Sequence, residues 1–385
     1  MPLSDWLNLC KREWKRMLGD IRIAFIFIGG PFFYAIIFGC VYWNGQTRHV
    51  PIVIADQDHS TLSREISSAL QASDDISVVG WVNGPEDLLP LIRRDAAYAC
   101  VVFPPGFERD VLAGKKPRVG ILFDGSNTLI AATASAGVRT TLASYQIGLA
   151  QRRLEATLPP ASALDTAMPL RQKTRLLFNP TSNYSYFILM GLVCIAVQSV
   201  TRIGGGISLE LDSTAKLRRE FPNLDLTKRR VFLFKAISTA ALGLPIAFMA
   251  LSFPFLIFGA PFRGSFLVLA AALVVFVFAQ VCAGFGYSAL CKSAVFCTQL
   301  HLYMSAVLFT LSGFTWPYYV MPGWVRWIAN LTPLFHMNCL LRKTALIGAS
   351  IETIWPHLAA LAVLCGLFAA WGYWGVCSSM NRVKG

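Results

Sequence analysis

Six stretches of mostly apolar residues, each long enough to cross a lipid bilayer, constrain this chain more than any other feature of its sequence. A membrane-crossing helix needs about 20 such residues in succession. Charged residues make up only 14% of the 385 residues and the mean hydropathy is +0.53, which excludes a soluble enzyme and a disordered chain. We number the stretches as spans one to six: residues 21–43, 184–203, 231–258, 266–290, 294–314 and 355–376.

The positions of Lys and Arg predict how these spans are oriented. Sixteen basic residues lie near the span ends on one side, against four in the short loops of the other side. Because cytoplasmic loops carry the excess of basic residues, we expect both termini in the cytoplasm and residues 44–183 outside it. The outer segment is nearly neutral, with 14 basic and 13 acidic residues, so the net charge of +13 reflects membrane orientation and does not indicate a nucleic-acid partner.

The outer segment alternates between strand and helix patterns, which predicts a small α/β domain. We expect strands at 50–55, 76–82, 98–103 and 118–123, helices at 60–72, 85–94, 105–113 and 127–153, and a linker at 159–173. Asp56, Asp58 and His59 follow the first strand, where such a cluster favours turn and cap chemistry over cation binding. The ten cysteines contain no CxxC pair, so we expect neither a disulfide framework nor a metal site.

The N-terminal residues 3–18 have the pattern of an amphipathic helix lying in the cytoplasmic membrane interface. The predicted fold is therefore an all-α membrane bundle of six helices with an external α/β domain inserted between spans one and two. Its parts are the interfacial helix at 1–20, span one at 21–43, a periplasmic domain at 44–183 and spans two to six at 184–385. The apolar face of the interfacial helix comprises Leu3, Trp6, Leu7, Cys10, Trp14, Met17 and Leu18.

Two of the connecting loops have specific patterns. At 204–230 a triple glycine, expected to end or bend span two, precedes a short charged helix that is either a solvated connector or a docking surface for a cytoplasmic partner. At 315–350 two helices too short to cross a bilayer are predicted to re-enter from the outside. The docking residues would be Glu210, Asp212, Lys216, Arg218 and Arg219, and the outer residues Trp316, Pro322, Trp324 and Trp327.

The sequence offers no internal source of energy for transport. No Asp or Glu lies within the six stretches, and His301 is the only histidine in the middle of a span, so proton coupling is disfavoured. The chain also lacks a phosphate-binding loop. Uphill transport would therefore depend on a separate cytoplasmic protein.

Together these features resemble the ABC type-2 export permeases, and most closely the bacterial subgroup that pairs with an ATPase and often with a periplasmic adaptor protein. The resemblance rests on the order of spans and on two motifs. One is Ser312-Gly313-Phe314, followed by Met321-Pro322, Trp327 and Pro333; the other is the strand 51–60 that opens the insert. The chain departs from the family pattern at Ser213, where glycine is typical.

The resemblance implies an exporter in the bacterial inner membrane. Two permeases, either two copies or a copy and a paralogue, would sit on ATPases that bind ATP and Mg²⁺, while this chain binds no cofactor. The interfacial helix and the loop at 210–220 would contact the ATPases, and spans two and five would line a path for amphipathic or hydrophobic cargo. The path residues would be Asn183, Tyr184, Phe187, Met190, Gln198, Gln299, Tyr303 and Met304.

Two other functions remain as alternatives to a non-enzymatic permease. A membrane sensor would bind a ligand with its periplasmic domain, but it ordinarily carries a cytoplasmic output domain larger than any cytoplasmic segment here. An enzyme acting on lipid would need a cluster of His, Asp or Glu at a membrane face, and the sequence pattern provides none.

Overall fold

The computed structural model describes residues 3–168, 176–210, 220, 227–291 and 294–382. The chain forms two compact units. The membrane unit comprises Met1–Gly45 with Leu176–Gly385, and the insert unit comprises Gln46–Arg175. The predicted predominance of helix is confirmed, with one small sheet in the insert unit.

The membrane unit begins with helix α1, Leu3–Gly19, and a first span that runs over Ile21–Val41. This span consists of α2 (Ile21–Ala24), a π-helical turn (Phe25–Gly29) and α3 (Gly30–Val41). The face of α1 that packs inward includes Leu9 and Met17, while Leu7 of the predicted apolar face is exposed. A helix packed against other helices buries the face that meets them, and that face need not be its most apolar one.

The insert unit contains a four-stranded sheet of order β2-β1-β3-β4. Strand β1 is parallel to both β2 and β3, and β4 is antiparallel to β3. The strands are β1 (Val50–Asp56), β2 (Ile76–Trp81), β3 (Ala99–Phe103) and β4 (Gly120–Phe123). Its helices are α4 (Thr61–Gln71), α5 (Leu88–Ile92), α6 (Phe107–Leu112), α7 (Thr128–Leu154) and α8 (Pro160–Ala167).

The predicted linker at 159–173 is wrong over its first half, where the structure has α8. Proline suits the first turn of a helix, since its missing N–H has no partner there, and Pro160 occupies that position. Ala163 then packs with no exposed surface. Two other helices of the insert begin close to their predicted positions: Ser60 caps α4 by accepting from the Ser63 amide, and Asn127 caps α7.

The chain returns to the membrane unit with α9, Tyr184–Glu210. The helix continues through Gly204–Gly206, so the triple glycine does not end the span. The glycines allow a neighbouring helix to approach: a Cβ at Gly205 would lie 2.4 Å from the carbonyl oxygen of Val281. The remaining helices are α10 (Lys228–Leu256), α11 (Phe266–Leu290), α12 (Ala294–Thr310), α13 (Gly323–Asn330), α14 (Pro333–Leu341) and α15 (Ile351–Arg382).

Five helices in the described part of the chain are long and apolar enough to cross a membrane: the first span, α9, α10, α11 and α15. The helix of span five, α12, has 17 residues and ends at Thr310, short of the predicted 314. The chain turns there because Gly313 adopts φ +79°, which favours glycine. Helix α10 stays continuous through Pro245 and Pro254.

Helix α9 lies at the centre of the membrane unit, and α11 packs against both α9 and α15. Almost nine-tenths of the apolar window of α9 is buried. Glycines bring α15 against α11, since a Cβ at Gly375 would lie 2.4 Å from the carbonyl oxygen of Phe285. This packing fixes the positions of the polar side chains described next.

Candidate functional site

A buried ion pair joins α1 to the helices behind it. Glu13 and Lys235 are each 2% exposed, and Lys235 Nζ lies 3.3 Å from Glu13 Oε1. Lys235 also donates to the backbone oxygen of Ser208 at 2.6 Å, while the Ser208 hydroxyl donates to Glu13. Trp14 adds a hydrogen bond from its indole to the backbone oxygen of Ser238, 2.8 Å away. Helix α1 is therefore fastened to both α9 and α10.

The predicted docking residues lie beside this junction, but most are outside the described residues. Glu210 ends α9 and accepts a hydrogen bond of 3.2 Å from Ser288 on α11. Asp212, Lys216, Arg218 and Arg219 fall in the segment that the structure does not describe, so their role stays a prediction. Glu220 is described, and it pairs with Arg12 of α1.

Sequence reasoning missed Glu13 and Lys235. In the sequence, both are charged residues at positions where an apolar residue is expected. Glu13 lies between Leu9 and Met17 at helical spacing, and Lys235 lies four residues after the start of span three. A charge on an apolar helix face indicates a buried partner, but the sequence alone does not say which residue supplies it.

The predicted path residues on α12 lie on an exposed face of the membrane unit. Tyr303 is 73% exposed, and Gln299 is exposed one turn before it. Leu302 and Val307 continue this face, while Met304 is half-buried. The face is thus apolar and aromatic, with one amide.

The predicted path residues on α9, and Asn183 just before it, do not lie on the exposed face of α12. Met190 belongs to the hydrophobic core, and Phe187 stacks on Phe314 with ring centroids 4.9 Å apart. Asn183 accepts hydrogen bonds from Ser185, and Tyr184 is part-exposed. In this conformation α9 packs inside one copy, and these side chains do not share the exposed face of α12.

Gln198 belongs to a buried polar cluster that the sequence did not predict. Gln280 donates to Gln198 at 3.1 Å and accepts from Arg202 Nε at 3.0 Å. Arg202 is 2% exposed, and its guanidinium lies 5.6 Å from the centre of the Tyr287 ring. Its Nη1 has no hydrogen-bond partner among the residues that the structure describes. His301 packs edge-on against the same tyrosine at 5.1 Å.

Arg202 therefore lies at a different place in the membrane unit from the one that the sequence predicted. It was counted among the basic residues near the cytoplasmic end of span two, but α9 continues to Glu210 and Arg202 is buried within the helix bundle. An arginine surrounded by helices is costly to bury, so it turns toward polar partners such as Gln280. Arg202 places a positive charge among side chains that hydropathy predicted to make only apolar contacts.

The predicted outer residues lie on the surface around α13. Trp316, Trp324 and Trp327 are 56%, 70% and 76% exposed, as expected of side chains that face an interface between lipid and water. Pro322 precedes α13, and Gly348 closes the turn after α14 with φ +69°. The two short helices are present as predicted, each too short to cross a bilayer.

In the insert unit, Asp56 and Asp58 form turns and caps. Asp56 accepts from the amides of Asp58 and His59, and Asp58 accepts from the amides of Phe107 and Glu108 at 2.9 Å. Burial raises the pKa of Asp58, but its hydrogen bonds lower it more, so this pKa lies below its ordinary value. Among the described residues no group of three or more His, Cys, Asp or Glu is placed to hold a metal ion.

A surface cavity of about 660 Å³ lies where β1 and β2 end. It is lined by Asp56, Gln57, His59, Arg64, Trp81, Val82 and Asn83. In sheets of this kind ligands bind at the carboxyl ends of parallel strands. The lining of this cavity thus lies at the edge of the sheet where ligands commonly bind.

Comparison with known proteins identifies the family. Residues 21–374 match the model of the ABC-2 family transporter proteins. The chain is 25% identical over 327 residues to the probable multidrug ABC transporter permease YbhR of Escherichia coli K12, covering 83% of this chain and 84% of that protein. It is 24% identical over 383 residues to the inner membrane transport permease YhhJ of the same organism, covering 95% of each.

A third relative is the probable multidrug ABC transporter permease YbhS of Escherichia coli K12, 21% identical over 355 residues and 90% of each chain. The family match spans nearly the whole chain, and membership implies a partner ATPase and a dimeric arrangement. The chain therefore belongs to the ABC-2 transporter family and is a permease subunit of an ABC transporter, a multi-pass protein of the inner membrane.

Proposed function

We propose that this chain is the membrane-spanning half of an ATP-driven exporter that moves amphipathic or hydrophobic cargo out of the cytoplasm or inner membrane. The observation that carries the proposal is the exposed face of α12, where Tyr303 and Gln299 lie on the surface of a single copy. A second permease, identical or a paralogue, would face it, and the cargo path would run between the two.

The chain would cross the membrane six times, with α12 as span five. Both termini would lie in the cytoplasm and the insert unit in the periplasm. The support is the distribution of Lys and Arg, sixteen near one side and four near the other. The exposed tryptophans around α13 would then lie at the outer interface.

Energy would come from a separate cytoplasmic ATPase that binds and hydrolyses ATP with Mg²⁺. It would contact α1 and the loop after Glu210. The Glu13–Lys235 pair supports this route, because it fastens α1 to the helices α9 and α10. A displacement of α1 by the ATPase would thus move α9 and open the helices near Trp324.

The proposed cargo class follows from the side chains on and beside the α12 face. Tyrosine, methionine and leucine side chains adapt to ligands of different shapes. The names of two relatives describe multidrug permeases, which supports varied cargo. We further propose that the insert unit is where a periplasmic adaptor protein would bind.

The proposal is tested with the permease and its ATPase reconstituted together in lipid vesicles. The measurement is ATP-dependent movement of an amphipathic fluorescent dye. We expect Tyr303→Ala and Gln299→Ala each to change the transport rate or the preference between dyes. Tyr319→Ala is the matched control, because Tyr319 is 81% exposed in the segment before α13. Unchanged transport in both α12 variants would place the path elsewhere.

A further inference from the structure

A cavity of about 240 Å³ in the membrane unit lies between the segment that follows α12 and one face of α14, and the function proposed above does not use it. Phe335, Asn338 and Arg342 line it. They are spaced by three and four residues, so they follow one face of α14 into the π-helical turn Arg342–Ile347. Phe314 and Tyr318 contribute two further aromatic rings to the wall. The cavity thus combines aromatic surface with an amide and a guanidinium group.

The amide in this wall belongs to Asn338, which is only 1% exposed. Neither its Nδ2 nor its Oδ1 has a hydrogen-bond partner in the part of the chain that the structure describes. Buried polar side chains nearly always have partners, so an unpaired amide beside a cavity points to a bound molecule. Since an amide both donates and accepts, that molecule would offer an acceptor together with an O–H or N–H donor.

The charge around the cavity is positive. Arg342 is exposed at its wall, and Lys343 follows in the same turn. Arg263 meets that turn as well, because its amide donates to the Ala345 oxygen at 2.8 Å and its guanidinium to the Leu346 oxygen at 3.1 Å. Among the described residues, no carboxylate forms an ion pair with any of these three cations. The cavity therefore favours an anion.

The tryptophans near the cavity indicate where such an anion comes from. Trp316 is 56% exposed and immediately precedes Pro317, which lines the cavity. Trp324 and Trp327 are exposed on α13. Exposed tryptophans of a membrane protein lie at the level of the lipid headgroups, where the phosphates of the lipids are concentrated. The anionic group most abundant at this level is therefore a lipid phosphate.

We propose that this cavity binds the headgroup of an anionic phospholipid that carries hydroxyl groups, such as phosphatidylglycerol. Arg342 donates to the phosphate, and the Asn338 amide donates to the phosphate and accepts from a headgroup hydroxyl. Aromatic walls can also hold the quaternary ammonium of phosphatidylcholine, but three cations around one turn oppose a second positive group, and choline has no donor for Asn338. Only the assignment to the outer leaflet rests on the proposed function.

The location of the site is tested by hydrogen exchange of the full-length permease in detergent. The protein is measured with phosphatidylglycerol and with phosphatidylcholine of the same acyl chains. We expect amides of residues 312–320 and 334–342 to exchange more slowly with phosphatidylglycerol. Equal exchange with both lipids, or stronger protection by phosphatidylcholine, would overturn the proposal.

Two variants test the residues, with phosphatidylglycerol binding followed by native mass spectrometry. Arg342→Gln should weaken binding about tenfold, the effect of losing a hydrogen bond between charged groups. Asn338→Leu should weaken it about fivefold and leave the lipid-free protein at least as stable in thermal unfolding, since it removes an unpaired buried amide. Arg326→Gln is the matched control, because Arg326 is exposed on α13 and does not line the cavity. Equal weakening by Arg342→Gln and Arg326→Gln would contradict the proposal.

Glycerol 3-phosphate separates a lipid from a soluble ligand, since it has the phosphate and hydroxyl groups without acyl chains. At the same concentration it should protect residues 312–320 and 334–342 far less than phosphatidylglycerol does. Equal protection by both would show that the ligand is soluble and that the lipid assignment is wrong. All these measurements use the permease alone, so their outcome does not depend on whether export is observed.

Discussion

The membrane unit and the insert unit place their buried polar groups differently. In the insert unit these groups serve turns and caps, as Asp56 and Ser63 do, around an apolar core. In the membrane unit charged side chains lie in the interior, where Arg202, Glu13 and Lys235 are each 2% exposed. Lipid offers a polar group no hydrogen-bond partner, so such groups turn inward and meet one another. We therefore expect polar substitutions to act most strongly inside the membrane unit.

The largest effect should follow from breaking the buried ion pair. Lys235→Met leaves the Glu13 carboxylate buried without its counter-charge, which costs about 3–5 kcal/mol. Thermal unfolding in detergent, followed by circular dichroism, measures the loss. The double variant Glu13→Gln, Lys235→Met should recover most of it, and Lys11→Met, exposed on the same helix, should have little effect. A double variant as unstable as the single one would show that the charge is not the cause.

A core substitution in the insert unit should have the next largest effect and should stay local. Leu70 is fully buried against the sheet, and Leu70→Ala should cost about 3 kcal/mol. Limited proteolysis of the full chain should then cut faster within residues 46–175, with the membrane helices unaffected. Leu112→Ala, at a site 78% exposed, is the control. Equal loss of stability in both units would contradict their independence.

The buried polar cluster gives a smaller effect that depends on charge. Gln280→Leu removes the acceptor of Arg202, which should cost about 2 kcal/mol. Gln280→Glu keeps an acceptor and adds a counter-charge, so it should be more stable than Gln280→Leu in thermal unfolding. Gln299→Leu, on the exposed face of α12, is the matched control. If the leucine and glutamate variants were equally stable, Arg202 would not depend on this contact.

The smallest effect should be a pH dependence in the insert unit. The pKa of Asp58 is lowered in the folded state, so its stabilisation is present above its unfolded pKa, about 4, and is lost as the pH falls through the folded value. Since Asp58 is part-exposed, we expect Asp58→Asn to cost about 1 kcal/mol at pH 7. Thermal unfolding at pH 7 and pH 3 should show the difference narrowing in acid. A constant difference would exclude this role.

Local patterns in the sequence predicted most of the insert unit. Alternating strand and helix patterns indicate local structure that does not depend on distant residues, and in the structure Ser60 and Asn127 cap two of the predicted helices. The error at 159–173 has a local cause as well, because Pro160 starts a helix over residues that were predicted to form a linker. These patterns do not determine the order in which the strands pair in the sheet.

In the membrane unit, hydropathy predicted where helices lie but not what they bury. Span lengths do not reveal that Gly205 of α9 leaves room for the backbone of α11 to pack against it. Nor do they indicate that Arg202 meets Gln280, 78 residues away, or that Glu13 meets Lys235, 222 residues away. Such pairings depend on how the helices pack, and a single sequence does not contain that information in any local pattern.

The central claim is that this permease supplies the path and a separate ATPase supplies the energy. The most direct test compares vesicles containing the permease alone with vesicles that also contain the ATPase, each given ATP and a cargo gradient to oppose. We expect cargo to accumulate against its gradient only when both proteins and ATP are present. Accumulation by the permease alone would contradict the account.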